Sequence, residues 1–154
     1  MKLLYAEDDE TSAFIVKKCL ESAGFEVVPA VDGEEAVHFC LKEQFDLILL
    51  DIKMPKLDGL AAAKVIRKDP AFTENSDTPI VAVTAYAMED MKQKIENEGV
   101  VDALLIKPVD IREMHKTIVE TIVSKKDLAI QKLKARVDEL EKEVSYLKGQ
   151  IGTE

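Results

Sequence analysis

Tryptophan is absent from this 154-residue sequence, and cysteine, proline and glycine are scarce, at two, five and six residues. Each shortage removes a class of protein. Cys19 and Cys40 lie far apart in predicted helices without a CxxC spacing, so neither a disulfide framework nor a thiolate metal site is expected. Both read as core residues, the usual place of a free cysteine. No apolar run approaches the roughly 20 residues a membrane helix needs, and no basic stretch leads into an apolar one at the N-terminus. A cytoplasmic location with no membrane partner is the expectation. Positive charge is also in deficit: 21 basic against 30 acidic side chains leave a net charge of −9. That balance opposes direct nucleic-acid binding, which rests on neutralising phosphates.

What the chain does have is apolar residues, 47% of the total, in a repeating order. Leu3-Leu4-Tyr5-Ala6 is a short apolar run ending in acids. Ile15, Val16, Cys19, Leu20 and Ala23 then recur at helical spacing as far as Gly24. The alternation continues with a strand over 25–28, a helix face of Ala36, Val37, Cys40 and Leu41, and the fully apolar strand Leu47-Ile48-Leu49-Leu50. A helix around 62–66, a polar loop over 69–77, a strand over 80–84, a helix near 88–98 and a strand over 103–106 follow. A fifth helix opens after Lys107-Pro108. Continuous apolar strands alternating with helices predict an α/β domain: a five-stranded parallel sheet, doubly wound with helices on both faces.

The last helical pattern runs to the end of the chain and changes period. Val123, Ile130, Val137, Val144 and Ile151 are spaced by seven, with Leu133, Leu140 and Leu147 at the companion positions and Val119 ahead of them. β-branched residues at a with leucine at d favour a parallel two-stranded coiled coil. Arg136 and Glu143 at g can face Glu141 and Lys148 at e of a second copy. The expected organisation is a body over 1–122 and a coiled-coil dimerisation helix over 123–154, the tail carrying seven basic and six acidic side chains. The acidity belongs to the body.

In a doubly wound sheet, ligands bind at the carboxyl ends of the strands. The first strand ends in Glu7, Asp8 and Asp9, the third in Asp51, the fourth in Thr84 and the fifth in Lys107. Carboxylates meeting at one edge repel unless a cation is shared. An all-oxygen acidic site suits Mg²⁺, which accepts one or two carboxylates and keeps waters or a phosphate. A hydroxyl and a lysine opposite would complete a cradle for a phosphoryl group. Singly, the acids after the first strand also fit a solvated helix N-terminus, Thr84 an ordinary strand end and Lys107 a surface lysine. Asp51 differs, because it directly follows four apolar residues, where an unpaired charge is expensive.

With these residues in order, the body resembles a response-regulator receiver domain of two-component signalling, a flavodoxin-like fold. The resemblance covers residues 1 to about 122. It rests on Glu7-Asp8, on Asp51-Ile52-Lys53-Met54-Pro55-Lys56-Leu57-Asp58-Gly59, on Thr84-Ala85 and on Lys107-Pro108. It implies that Asp51 accepts a phosphoryl group from a sensor histidine kinase or a histidine phosphotransfer protein. It further implies that Glu7, Asp8, Asp51 and the Lys53 carbonyl hold Mg²⁺, and that Thr84 and Lys107 bind the phosphoryl oxygens. A cis Lys107-Pro108 bond is also implied. Members of the family often carry an aromatic switch residue three positions before the lysine. That position is Leu104 here, with Tyr86 the nearest aromatic substitute beside Thr84.

Competing classes fare less well. A dehalogenase-like phosphatase also uses an aspartate after a strand, but it needs a second one two residues later, where this chain has Lys53. A leucine-zipper DNA-binding protein needs a long basic region before the zipper, and Ser124-Lys125-Lys126-Asp127 is too short. The expectation is therefore a phospho-acceptor and not an enzyme, at most self-catalysing phosphotransfer and dephosphorylation, with its state relayed through the last helix to a dimeric coiled coil. A phosphorylation-independent dimeric scaffold, and the front part of a longer regulator with an output domain, are the alternatives.

Overall fold

Buried runs of leucine, isoleucine and valine form the strands, and aspartates start most of the helices. The computed structural model describes residues 1–85 and 88–152. In chain order the elements are β1 (Lys2–Ala6), α1 (Glu10–Ser22), β2 (Glu26–Ala30), α2 (Gly33–Lys42), β3 (Leu47–Asp51), α3 (Gly59–Lys68), β4 (Ile80–Thr84), α4 (Glu89–Glu98), β5 (Ala103–Ile106) and α5 (Ile111–Ile151). The strands are all parallel, in the order β2-β1-β3-β4-β5. This is the flavodoxin-like arrangement, whose order reverses between β1 and β3.

Strand alternation divides the core in two. Leu4, Ala6, Ile48, Leu50, Ile80 and Ala82 face one side with α2, α3 and α4 residues such as Ala36, Ala63, Ile66 and Ile95. Leu3, Leu47, Leu49, Val81, Val83 and Leu105 face the other, with Leu20 of α1 and Met114, Ile118 and Ile122 of α5. The central strands β3 and β4 are buried along their whole length. Asp9, Asp32 and Asp58 cap α1, α2 and α3 by accepting the N–H groups of Ser12, Glu35 and Ala61. Such caps satisfy helix donors that have no partner within the helix.

Two expectations are corrected. The second strand is Glu26–Ala30, displaced toward the C-terminus from 25–28, and it contains Pro29. That is admissible because β2 is an edge strand, where a residue without an N–H need break no ladder. The segment 69–77 is not a plain polar loop. It holds a 3₁₀ turn (Pro70–Phe72) with Phe72 buried, and a fully buried Asn75. The Asn75 amide donates to the carbonyls of Cys40 and Glu43 at 2.7 Å and accepts from Phe45 N–H at 3.0 Å, stitching the end of α2 to the approach to β3. Val119 is partly buried and packs against the α1/α5 side of the core.

The chain divides into two compact units, Met1–Ile122 and Val123–Glu154. In the second, the described residues are helical through Ile151, and Val123, Ile130, Leu133, Val137, Leu140, Val144, Leu147 and Ile151 are all exposed. No described helix is long and apolar enough to cross a membrane.

Candidate functional site

Sheet register brings the strand ends to one edge. Asp51 pairs with Val83 and Thr84 with Ile106. Lys107 follows at once and donates its N–H to the Thr84 carbonyl at 2.7 Å. On the other side Ala6 pairs with Leu50, and Glu7 donates its N–H to the Ala30 carbonyl at 3.0 Å. Glu7, Asp51, Thr84 and Lys107 thus emerge together at the carboxyl end of the sheet, where the strand order reverses.

The Lys107 ammonium bridges the two acids, 2.7 Å from Asp51 Oδ2 and 2.9 Å from Glu7 Oε2. Glu7 and Asp51 are only 3% and 4% exposed, so their charges need compensation on the spot. Burial alone lowers the Lys107 pKa, but hydrogen bonds and charge from Asp51 and Glu7 outweigh it and hold the ammonium above its ordinary 10.5. Backbone donors fix the remaining oxygens. Asp9 N–H donates to Glu7 Oε1 at 3.1 Å, and Lys53 N–H donates to Asp51 Oδ1 at 3.3 Å.

One carboxylate oxygen from each of Glu7, Asp8 and Asp51 lies within 4.8 Å of the other two, with Asp8 exposed and the other two residues buried. Three hard oxygen donors with one solvent-facing member fit a small divalent cation that keeps part of its water shell. Asp9 does not join them. Its carboxylate accepts from Ser12 N–H at 2.8 Å as the α1 cap, a bond that lowers its pKa.

The loop after β3 is held from two directions. A Cβ on residue 59 would overlap the Asp51 carbonyl, and one on residue 33 would overlap the Leu57 carbonyl, so both positions require glycine for space. Lys56 takes a left-handed conformation (φ 66°) and pairs through Nζ with the buried Asp32 carboxylate at 3.4 Å. The Glu35 N–H lowers the Asp32 pKa first, Lys56 adds to this, and burial opposes both.

Of the residues singled out from sequence, the structure gathers Glu7, Asp8, Asp51 and Lys107 directly, with Thr84 buried beside them in register and the Lys53 backbone on Asp51. The Lys107-Pro108 peptide is cis. Leu104 is half-buried in β5 and packs into the core, and Tyr86 lies outside the described residues. Sequence reading missed Tyr5, whose hydroxyl lies 3.5 Å from Glu7 Oε2. Its signal was a phenol two residues before the acid on the same strand face. It also missed the close approaches at Gly33 and Gly59, which depend on backbone from elsewhere in the chain.

Comparison with known proteins agrees with this geometry. The family description "Response regulator receiver domain" matches residues 3–119. The chain is 35% identical over 119 residues to the sensor protein GacS of Pseudomonas syringae, covering 77% of this chain but only 13% of that protein. Among solved structures, a Francisella response-regulator receiver domain aligns with a TM-score of 0.72 at 30% identity, over 80% of this chain and 97% of that one. The receiver domain of a Pseudomonas aeruginosa sensor histidine kinase, which has magnesium coordinated in its active-site cleft, aligns with a TM-score of 0.71 at 29% identity, over 79% and 96%.

Proposed function

Because the chain belongs to the response-regulator receiver-domain family, we propose that Asp51 is its phospho-acceptor, taking a phosphoryl group from the phosphohistidine of a sensor kinase or a histidine phosphotransfer protein. The observation that carries this reading is the Lys107 ammonium seated between the buried Asp51 and Glu7 carboxylates, beside a three-carboxylate cluster. In the transfer, an Asp51 carboxylate oxygen forms the bond to phosphorus while the nitrogen–phosphorus bond breaks in line with it. The electron pair returns to the imidazole. Catalysis of such a step is mostly positioning and charge compensation. The Lys53 N–H orients the acceptor carboxylate, Lys107 turns from the carboxylates to the arriving phosphoryl oxygens, and the Thr84 hydroxyl donates to one of them. Glu7, Asp8 and Asp51, with the Lys53 carbonyl, would hold Mg²⁺, which when bound supplies neutralisation of the phosphoryl charge. Receiver domains are phospho-acceptors and not classical enzymes, and the lysine at position 53 leaves this one without the second acid a phosphatase of the dehalogenase kind needs.

The tail is read as a parallel homodimerisation helix through Val123, Ile130, Leu133, Val137, Leu140, Val144, Leu147 and Ile151. Their exposure on a helix and their heptad spacing support this. The phosphorylation state would be relayed through the last helix to that pair. Intact-mass measurement with acetyl phosphate and Mg²⁺ tests the acceptor. One added phosphate on the wild type and none on Asp51→Asn is expected, and an equal adduct on the variant refutes the assignment.

A further inference from the structure

On the α1/α5 side of the sheet the inward strand residues Leu3, Leu47, Leu49, Val81, Val83 and Leu105 are aliphatic, and Tyr5 among them is the exception. It is 3% exposed. A buried phenol usually finds a hydrogen-bond partner, and strand periodicity sends Tyr5 to the same side as Glu7. Its hydroxyl is 3.5 Å from Glu7 Oε2, a long contact to the very oxygen that Lys107 holds at 2.9 Å. A cavity of about 470 Å³, bounded by Tyr5, Glu7, Ser12, Lys107, Val109 and Met114 among others, leaves room for adjustment around the pair.

We propose that Tyr5 is a positioning residue for the acceptor site: its hydroxyl holds Glu7 toward the carboxylate cluster and remains that oxygen's donor when Lys107 turns to the phosphoryl group. The inference rests on the phospho-acceptor reading above. Without the phenol, departure of the ammonium leaves a buried carboxylate oxygen stripped of its side-chain donors, a costly state.

Tyr5→Phe removes only the hydroxyl. Mg²⁺ affinity is measured by calorimetry, with the rate of phosphorylation by acetyl phosphate at saturating Mg²⁺ and the thermal midpoint measured alongside, in the wild-type and Glu7→Gln backgrounds. The expected result is a loss of Mg²⁺ affinity of about three- to tenfold in the wild-type background, as for one hydrogen bond, and none in Glu7→Gln. A wild-type phenol difference spectrum on adding Mg²⁺, absent from Tyr5→Phe, is also expected. Wild-type affinity in Tyr5→Phe, or the same loss in both backgrounds, overturns the inference. A wild-type protein that neither binds Mg²⁺ nor takes phosphate overturns instead the reading on which it rests.

Discussion

The carbonyl oxygen of Asp51 occupies the space that a Cβ on residue 59 would need. The helix that follows the acceptor loop therefore starts in van der Waals contact with the acceptor's own backbone, and Gly59 N–H closes the turn on the Ile52 carbonyl at 2.9 Å. Gly59→Ala should force that backbone apart and destabilise the body by about 1–3 kcal/mol, the usual range for overpacking. Gly149→Ala, where a Cβ meets nothing, should instead strengthen the tail helix by about 0.5–1 kcal/mol. Thermal unfolding and helical content of the two variants check the opposite signs.

Removing the Lys107 charge leaves Glu7 and Asp51 facing each other without a counter-ion. Since the Lys107 side chain is one-third exposed, solvent screens part of the effect, and Lys107→Met should cost about 1–2 kcal/mol at neutral pH. Added Mg²⁺ should restore more stability to the variant than to the wild type. The folded pKa of Lys107 is raised, so its stabilisation is complete below the ordinary 10.5 and lost as the pH climbs through the folded value. Thermal midpoints across the alkaline range should show that loss in the wild type and not in Lys107→Met.

Asp8 and Asp9 adjoin in sequence but serve different ends. Asp8→Asn should weaken Mg²⁺ binding at least about tenfold, no less than losses seen for groups merely supporting a metal ligand. Asp9→Ala should leave Mg²⁺ binding nearly unchanged and lower the thermal midpoint through the lost α1 cap. Parallel metal titrations and melting curves separate the two.

The proposed dimer seam lies in the tail. Ile122 belongs to the core of the body while Val123 is half exposed, so a chain ending at Ile122 should fold, accept phosphate and run as a monomer by light scattering. A persistent dimer of the same affinity would place the interface on the body.

The strands and their order of appearance were legible because buried parallel strands are written as unbroken apolar runs, and the acceptor edge was legible because chemistry-bearing residues end those runs. What escaped depends on contacts between distant segments. Asn75 looked like a solvated loop residue, yet its amide answers carbonyls of α2. Arg67 carried no motif, yet its guanidinium donates to the Ser76 and Thr78 carbonyls and to Asp102, joining α3 to the segments that lead into β4 and β5. Asp9 sat beside a metal pair in sequence, and only the start of α1 shows it to be a cap. Val119 fits the heptad by spacing and also packs against the core of the body, a contact its spacing does not reveal.

Locating the phosphoryl group by residue tests the central claim most directly. Borohydride reduction of the acetyl phosphate-treated protein converts an aspartyl phosphate to homoserine, which peptide mass spectrometry reads at single positions. Homoserine at position 51, and its absence there when Mg²⁺ is withheld, is the predicted result. Homoserine at any other aspartate, with Asp51 intact, would contradict the account.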